Sequence, residues 1–262
     1  MTSSPGMGDG AGSFLCCGVR IDALTLDAAA DHILGWARAG GGRAVHLCNA
    51  YTLSLAHRDT SLRQALNRSH LNLADGMPLV WVGRRLGFGE MTGRVYGPHL
   101  MEVVLDRGRS SGLRHYLYGS TPSVVTRLAA SLHGTYPGVE IVGVESPPFR
   151  PLRSDESRAL VRRVQACRAE VVWVALGTPK QDRFLADFVA PLGTTAVAVG
   201  AAFDFLAGAK PQAPSVLQDH GLEWAYRLFR EPRRLWRRYL LGNLTFLEAL
   251  ARRDIAVLVN SK

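Results

Sequence analysis

Asp75 and Gly76 follow directly after a short apolar run, Leu71–Ala74, which the sequence pattern predicts to be a strand. A carboxylate at the end of a strand could take a proton from a hydroxyl as a general base, and the glycine would let a ligand approach the backbone. Asp-Gly pairs are also common in turns and at helix N-caps, and the local sequence alone favours that second interpretation. The surroundings of Asp75 must therefore decide between them.

Gly119 and Ser120 lie between a predicted strand and a predicted helix, and Thr121 and Pro122 follow them. Such a loop presents backbone N–H groups and a helix N-terminus to an anion, which suits a nucleotide diphosphate. The alternative is an ordinary connection in which Ser or Thr caps the helix. Neither the Walker spacing nor a full Gly-x-Gly-x-x-Gly fingerprint is present, so this motif is not specific on its own.

A second loop of this kind runs over 177–182 and contains Gly177, Lys180 and Gln181. A lysine and an amide in the first turn of a helix could bind a phosphate and the edge of a sugar or base. The alternative is a capped helix start with exposed polar side chains. The local sequence leaves both interpretations open.

Two further polar residues follow predicted strands. Asp204 lies between two phenylalanines after the last strand, where it could recognise a sugar or ribose or could cap a packed short helix. Asn49 follows Cys48 and could bind a sugar hydroxyl or close a turn. Both residues are therefore candidates for substrate binding.

The elements that position these residues are short apolar runs that alternate with longer amphipathic stretches. Continuously apolar strands separated by helices are typical of a parallel sheet covered on both faces, in which ligands bind at the carboxyl ends of the strands. The sequence therefore predicts an α/β fold with a Rossmann-like, mostly parallel sheet covered by helices. The predicted strands are 44–48, 71–74, 115–118, 140–144, 171–176 and 195–199.

Three segments of different character divide the chain. Residues 1–13 are small, polar and Gly-rich without the features of a signal peptide, so we expect a flexible tail. Residues 14–210 are predicted to form the α/β catalytic core. Residues 211–262 are Arg-rich and aromatic and predict a helical appendage without a strand. Its arginines favour either contact with anionic lipid head groups or, as the simpler interpretation, a solvated basic helix face.

The composition narrows the classes of partner and chemistry. Lys and Arg number 31 against 22 Asp and Glu, and this net charge of +9 suggests an anionic partner, such as nucleic acid, lipid or phosphate-bearing substrate. The four cysteines form no zinc pattern and fit a reducing cytosol. No uncharged run approaches the length of about 20 residues that a spanning helix needs. No Asp-x-Asp occurs, so the motif by which metal-dependent sugar transferases usually hold a divalent ion is missing, and we predict no metal and no cofactor. In a transfer reaction without a metal ion, helix N-termini and cationic side chains must neutralise the negative charge of the leaving group.

The order of these motifs resembles the WecG/TagA/CpsF glycosyltransferases of bacterial surface-polymer synthesis, and the similarity runs from about Val19 to Tyr239. The similarity depends on a series of motifs, of which the last three clusters named below are highly specific when they occur in this order. The matching motifs are Asn49, Asp75-Gly76, the Gly119 loop with Tyr136-Pro137, Gly177-x-Pro179-Lys180-Gln181, Gly200-x-x-Phe203-Asp204-Phe205-x-x-Gly208, Ala213-Pro214, and Gly221-Leu222-Glu223-Trp224-x-x-Arg227 with Glu231-Pro232 and Arg238-Tyr239.

The resemblance implies a metal-independent, inverting transferase that uses a UDP-sugar, often UDP-N-acetylmannosamine or its uronic acid. It implies an acceptor sugar linked to polyprenyl diphosphate, at the inner face of the membrane. By this resemblance Asp75 is the general base, and Asn49 and Gln181 line the nucleotide-sugar pocket. The C-terminal appendage would complete the site, contact the membrane and hold diphosphate charge, with Arg227, Arg234 and Arg238 as candidates.

Four positions depart from the family pattern. Leu47 replaces a threonine two residues before Asn49, and Asp182 replaces a glutamate after Gln181. Gln212 stands where an arginine is usual, and His99 where an aspartate is usual. The identity of the donor sugar therefore does not follow from the resemblance.

The sequence thus favours a cytoplasmic glycosyltransferase bound peripherally to an anionic membrane surface, with no nucleic-acid partner; a homo-oligomer is compatible with it. The alternative from another class is a nucleic-acid-binding protein that uses the basic C-terminal helices. No recognisable nucleic-acid-binding motif in the sequence supports that alternative. A degenerate subunit that only binds nucleotide-sugars is a third hypothesis, against which the presence of Asp75 argues.

Overall fold

A computed structural model describes residues 12–91, 93–214, 216–217, 220–251 and 255–258. Within 232–251 it describes side chains only at 232, 233, 235, 236, 242, 245–248, 250 and 251. The chain divides into two compact units, which are described separately. The described parts of Met1–Leu26, Leu47–Tyr96 and Gln212–Lys262 form the first unit, and those of Asp27–His46 and Gly97–Pro211 form the second.

Strands and helices alternate through most of the described chain. The strands are β1 (Ser13–Cys16), β2 (Val19–Asp22), β3 (Arg43–Cys48), β4 (Leu71–Ala74), β5 (Arg114–Gly119), β6 (Glu140–Glu145), β7 (Val171–Ala175), β8 (Thr195–Ala198) and β9 (Ile255–Leu258). The helices are α1 (Leu26–Ala39), α2 (Ala50–Arg58), α3 (Thr60–Asn67), α4 (Met77–Arg85), α5 (Gly97–Gly108), α6 (Pro122–Thr135), α7 (Ser154–Ala166), α8 (Lys180–Leu192), α9 (Ala202–Leu206), α10 (Glu223–Arg230) and α11 (Pro232–Ala251), with a short 3-10 helix at Arg109–Ser111.

The second unit is built on parallel strands in the order β6, β5, β7, β8 and the first four residues of β3, since Leu47 and Cys48 belong to the first unit. Every residue of β7 is buried, which explains its continuous apolar sequence, since a parallel strand is covered on both faces. Helices α7 and α8 bury one apolar stripe each and pack with these strands in a common hydrophobic cluster. The loops after β5, β7 and β8 leave the sheet at its carboxyl edge.

The first unit contains β4, β2, β1 and β9. Strand β2 pairs in parallel with β4, while β1 pairs antiparallel with both β2 and β9. The C-terminal helix α11 packs on α2, and Gly242 permits this contact, because a Cβ there would lie 3.1 Å from the ring of Tyr51. Phe246 of α11 is buried in the same hydrophobic cluster as Phe14 and Leu53. The C-terminal region is therefore part of the packing of the first unit.

The predicted α/β fold with mostly parallel strands is confirmed, and all six predicted strands are present within one residue of their predicted bounds. The absence of a strand after residue 210 was a wrong expectation, because Ile255–Leu258 forms β9. A run of four residues is too short for its period to be recognised, and β9 depends on pairing with the distant β1. The domain boundaries after residues 13 and 210 stay predictions.

Candidate functional site

Asp75 lies at the carboxyl end of β4 in the first unit. Its backbone N–H donates to the Cys48 carbonyl oxygen at 2.8 Å, which joins the ends of β4 and β3. Gly76 is the N-cap of α4, and a Cβ at that position would lie 3.4 Å from the Cβ of Asn49. The loops that carry Asp75 and Asn49 therefore lie side by side, at a separation where a side chain at Gly76 would make an ordinary van der Waals contact.

Asn49 caps helix α2 with its side chain. The Oδ1 atom accepts hydrogen bonds from the backbone N–H groups of Tyr51 at 3.1 Å and Thr52 at 3.2 Å. These bonds satisfy two of the free donors at the helix start and fix the orientation of the side chain. The Nδ2 amide has no hydrogen-bond partner among the described residues, so the group that remains to bind a ligand is a donor.

The segment after α4 brings two further polar side chains beside the end of β4. The backbone N–H of Val95 donates to the Ala74 carbonyl oxygen at 2.8 Å, so the segment that carries Arg94 and Tyr96 is bonded to the residue that precedes Asp75. The guanidinium carbon of Arg94 lies 4.0 Å from the centre of the Tyr96 ring, a distance typical of a cation–π contact.

Helix α10 adds a carboxylate and an arginine to the same region. Nη1 of Arg94 lies 2.6 Å from Oε2 of Glu223, and Nη1 of Arg227 lies 3.8 Å from Oε1 of the same carboxylate. Glu223 and Arg227 are four residues apart on α10, the spacing that places them on one helix face. Glu223 therefore lies between two arginines.

The pKa of the Tyr96 phenol is affected by four nearby charges, those of Asp75, Arg94, Glu223 and Arg227. Burial raises the pKa of Tyr96 well above its usual range, and the negative charges of Glu223 and Asp75 raise it further, while Arg94 and Arg227 act in the opposite direction. The hydroxyl of Tyr96 is buried and has no hydrogen-bond partner in the described chain. We call Asp75, Arg94, Tyr96, Glu223 and Arg227 the Asp75 cluster.

The second unit contributes the loop that follows β5. Gly119 has φ 135°, and a Cβ there would lie 2.5 Å from the Ala175 carbonyl oxygen, so only glycine lets the ends of β5 and β7 approach this closely. Ser120 is in the left-handed region with φ 59°, and its hydroxyl donates to Asp204 Oδ1 at 3.4 Å. Asp204 also pairs with Lys210 at 3.4 Å.

The loop after β7 is held by the side chain of Gln181. Its Oε1 accepts a hydrogen bond from the backbone N–H of Gly177 at 3.1 Å, and the side chain is almost fully buried. A Cβ at Gly200, after β8, would lie 3.5 Å from Gln181 Oε1, so Gln181 contacts both loops. Lys180 Nζ lies 4.4 Å from the ring centre of Phe149, which is almost fully exposed.

Asp182 follows Lys180 and Gln181 in the first turn of α8, and its carboxylate contacts a buried histidine. Its Oδ1 lies 2.8 Å from Nδ1 of His46, and both side chains are completely buried. The aspartate therefore fastens the start of α8 to β3. Of the two interpretations left open by the sequence, an exposed polar helix start therefore does not describe Gln181 and Asp182, which are both buried.

The predicted site residues fall into two groups, one in each unit. Arg94, Tyr96 and Glu223 were missed by the sequence analysis as site residues, because their proximity to Asp75 arises only through tertiary contacts. The side chains of Arg234 and Arg238 lie outside the described residues. The first unit contains Asn49, Asp75, Gly76 and Arg227, and the second contains Gly119, Ser120, Gly177, Lys180, Gln181 and Asp204.

The described residues contain neither a cluster of metal-binding side chains nor a helix that could span a membrane. No group of three or more His, Cys, Asp or Glu side chains in these parts of the chain could hold a metal ion. No described helix combines the length and apolar character needed to cross a bilayer.

Comparison with known protein families gives a match that covers nearly the whole chain. The model of the glycosyl transferase WecG/TagA/CpsF family matches residues 14–257. The matched region includes every residue of the Asp75 cluster and every predicted site residue of the second unit.

Proposed function

The chain belongs to the WecG/TagA/CpsF family and is a glycosyltransferase, and we propose that it moves a sugar from a UDP-sugar to an acceptor sugar linked to polyprenyl diphosphate. The observation that supports this proposal most is the environment of Asp75. Asp75 is half-buried at the end of a buried strand, its loop lies beside the loop of Asn49, and its negative charge acts on Tyr96 of the Asp75 cluster. A carboxylate in such a position can accept a proton from a bound hydroxyl.

The proposed reaction is a single displacement. The acceptor hydroxyl oxygen attacks the anomeric carbon of the donor as the bond from that carbon to the UDP oxygen breaks. Asp75 takes the proton of the hydroxyl, and UDP leaves with the bonding electrons. Because the nucleophile attacks from the face opposite the leaving group, the anomeric configuration inverts.

The loops of the second unit are our candidates for binding the nucleotide. The Gly119 loop and the Gly177 loop both lie at the carboxyl ends of parallel strands, where α/β sheets bind ligands. Ser120 and Asp204 are joined by a hydrogen bond, and Gln181 holds the Gly177 loop. Lys180 supplies a positive charge at this edge. These features suit a ligand that combines phosphates with a ribose.

Departure of UDP requires positive charge, since negative charge develops on the diphosphate as the bond breaks. Arg227 is our first candidate because it belongs to the Asp75 cluster and has a largely buried side chain. Arg234 and Arg238 follow on α11 and remain candidates from the sequence. We propose that no metal ion takes part, on the ground that the sequence lacks Asp-x-Asp.

The C-terminal helices are our candidates for peripheral contact with the inner face of the plasma membrane. Phe229 of α10 and Trp236 of α11 are exposed, and Arg230 and Arg233 lie near them in the sequence. Aromatic side chains next to arginines suit the boundary between anionic head groups and acyl chains.

The experiment that tests this function is release of UDP from a panel of UDP-sugars in EDTA, with and without a polyprenyl-diphosphate-GlcNAc analogue. We expect release from one donor that depends on the acceptor, which would identify the donor and establish independence from metal ions. Release restored only by a divalent ion would contradict the metal-free mechanism. Folded protein that neither binds UDP nor releases it from any donor would contradict the proposed substrate class.

A further inference from the structure

We infer that Glu223 is a positioning residue of the transfer reaction, which holds the guanidinium of Arg94 against Tyr96 beside Asp75. The inference rests on the proposed function, because it assigns a role within the site where Asp75 accepts the proton. Glu223 lies on α10, far from Asp75 in the sequence, and all of the residues concerned belong to the first unit.

The contact between Glu223 and Arg94 is short and shielded from water. Oε2 of Glu223 lies 2.6 Å from Nη1 of Arg94, and the two side chains are only 10% and 14% exposed. Removing two charges from water costs free energy that their attraction does not always repay, so packing alone gives little reason for such a pair. Positioning of the guanidinium is a role that an apolar pair could not perform.

Arg94 is held from two directions. The carboxylate of Glu223 forms an ion pair with one of its terminal nitrogens, while the ring of Tyr96 lies 4.0 Å from its guanidinium carbon. The backbone of the same segment is fixed to β4 by the bond from Val95 N–H to the Ala74 carbonyl oxygen. Because the negative charge of Asp75 acts on the same tyrosine, a shift of the Arg94 side chain would change the balance of charge around Tyr96 and Asp75 while the backbone bond to β4 stays in place.

Glu223 also balances the charge of Arg227. Its second oxygen, Oε1, lies 3.8 Å from Nη1 of Arg227, so one carboxylate faces an arginine from its own helix and an arginine from the segment after α4. Without that carboxylate, the positive charges of Arg94 and Arg227 would act on Asp75 uncompensated. A carboxylate that pairs with a guanidinium becomes a weaker base, so proton transfer from the acceptor would slow.

The test is a double-mutant cycle in acceptor-dependent UDP release, with Glu223→Gln and Arg94→Lys made singly and together. If Glu223 acts through Arg94, each single variant lowers kcat by about 10-fold and the double variant loses little more than one of them, because coupled residues are not additive. The donor KM of Glu223→Gln should not rise, and one UDP per chain should still bind. A double variant with the product of the two single losses would overturn the inference.

Two further variants keep the test decisive. Glu223→Asp retains the negative charge but moves the carboxylate away from Arg94 by one methylene. We therefore expect this variant to fold even if Glu223→Gln does not. It should show a partial loss of kcat with an unchanged donor KM. Glu90→Gln removes an exposed charge from the same unit and should match the wild-type chain. Absence of transfer by the wild-type chain would refute the proposed function itself. Full activity of Glu223→Gln and Glu223→Asp alongside an active wild type would refute only the role of Glu223.

Discussion

At the scale of single residues, glycine determines how closely neighbouring strand ends can approach each other. Gly119 is the clearest case, because the Ala175 carbonyl oxygen occupies the position that a side chain would need. Its φ of 135° is also a conformation that other residues rarely adopt. The loop proposed to bind the diphosphate thus begins at a position where only glycine fits.

We therefore predict that Gly119→Ala weakens UDP binding and destabilises the protein by about 1–3 kcal/mol, as overpacking does. The matched control is Gly134→Ala on α6, where a Cβ would meet nothing within 4 Å. Alanine favours a helix more than glycine does, so the control should be stabilised by up to about 1 kcal/mol. Calorimetry with UDP and thermal unfolding would measure both effects, and equal UDP affinity in all three proteins would refute the role of Gly119.

Buried histidine provides a second prediction at this scale. His115 of β5 accepts a hydrogen bond at Nδ1 from Trp173 Nε1–H of β7 at 3.2 Å, and burial lowers the pKa of His115 to about 4. An unfolded histidine has a pKa of about 6.5, so the unfolded chain binds the extra proton first as the pH falls. Stability from this residue is thus complete above about pH 6.5 and is lost progressively towards pH 4.

The loss expected from His115 over this range is at most about 3 kcal/mol. Denaturant unfolding at several pH values would measure it as a slope of the unfolding free energy. His115→Gln should reduce that slope, whereas His133→Gln, at an exposed position of α6, should leave it unchanged. An identical slope in the wild-type chain and His115→Gln would show that His115 is not held neutral in the folded protein.

At the scale of secondary structure, the C-terminal helices cannot be treated as a removable attachment. Leu235 and Phe246 of α11 are buried, α11 packs on α2, and β9 extends the pairing of β1. A truncation near residue 210 would remove these contacts together with any membrane-binding surface. Point substitutions at exposed positions test the membrane proposal without this loss.

We predict that Phe229→Ser combined with Trp236→Ser lowers retention on vesicles containing anionic lipid, while the thermal unfolding temperature stays the same. Phe229 is 86% and Trp236 45% exposed, so both changes remove apolar surface from water-facing positions. Phe149→Ser is the control, since Phe149 is 98% exposed but lies in the second unit. Equal retention of all three proteins would exclude these helices as the membrane contact.

The elements also explain which features could be predicted from sequence. Strand β7 was recognisable because a strand buried on both faces is continuously apolar. Strands β1 and β9 have four residues each, and their pairing joins opposite ends of the chain. Arg94 and Glu223 are separated by more than a hundred residues, so no local spacing indicates that they form an ion pair. Local patterns predicted the loops that follow strands, while contacts between distant segments required the structure.

At the scale of the whole molecule, the excess of positive charge bears on where the enzyme works. The net charge of +9 should attract the protein to anionic surfaces, and salt screens such attraction. We predict that retention on anionic vesicles falls as salt is raised from about 50 to 500 mM, and that neutral vesicles retain much less protein. Sedimentation with vesicles of the two compositions would measure this. Stronger, salt-dependent binding to DNA or RNA under the same conditions would instead favour the nucleic-acid alternative.

The role of Asp75 as general base is tested by acceptor-dependent UDP release from the wild-type chain, Asp75→Asn and Asp187→Asn. Asp187 is exposed on α8 of the second unit, so its substitution removes the same charge without changing a residue of the Asp75 cluster. We predict that Asp75→Asn unfolds at the same temperature as the wild type and binds UDP equally well, but turns over at least about 100-fold more slowly, while Asp187→Asn is fully active. Turnover by Asp75→Asn within a few-fold of the wild-type rate would contradict the assignment of Asp75 as the base.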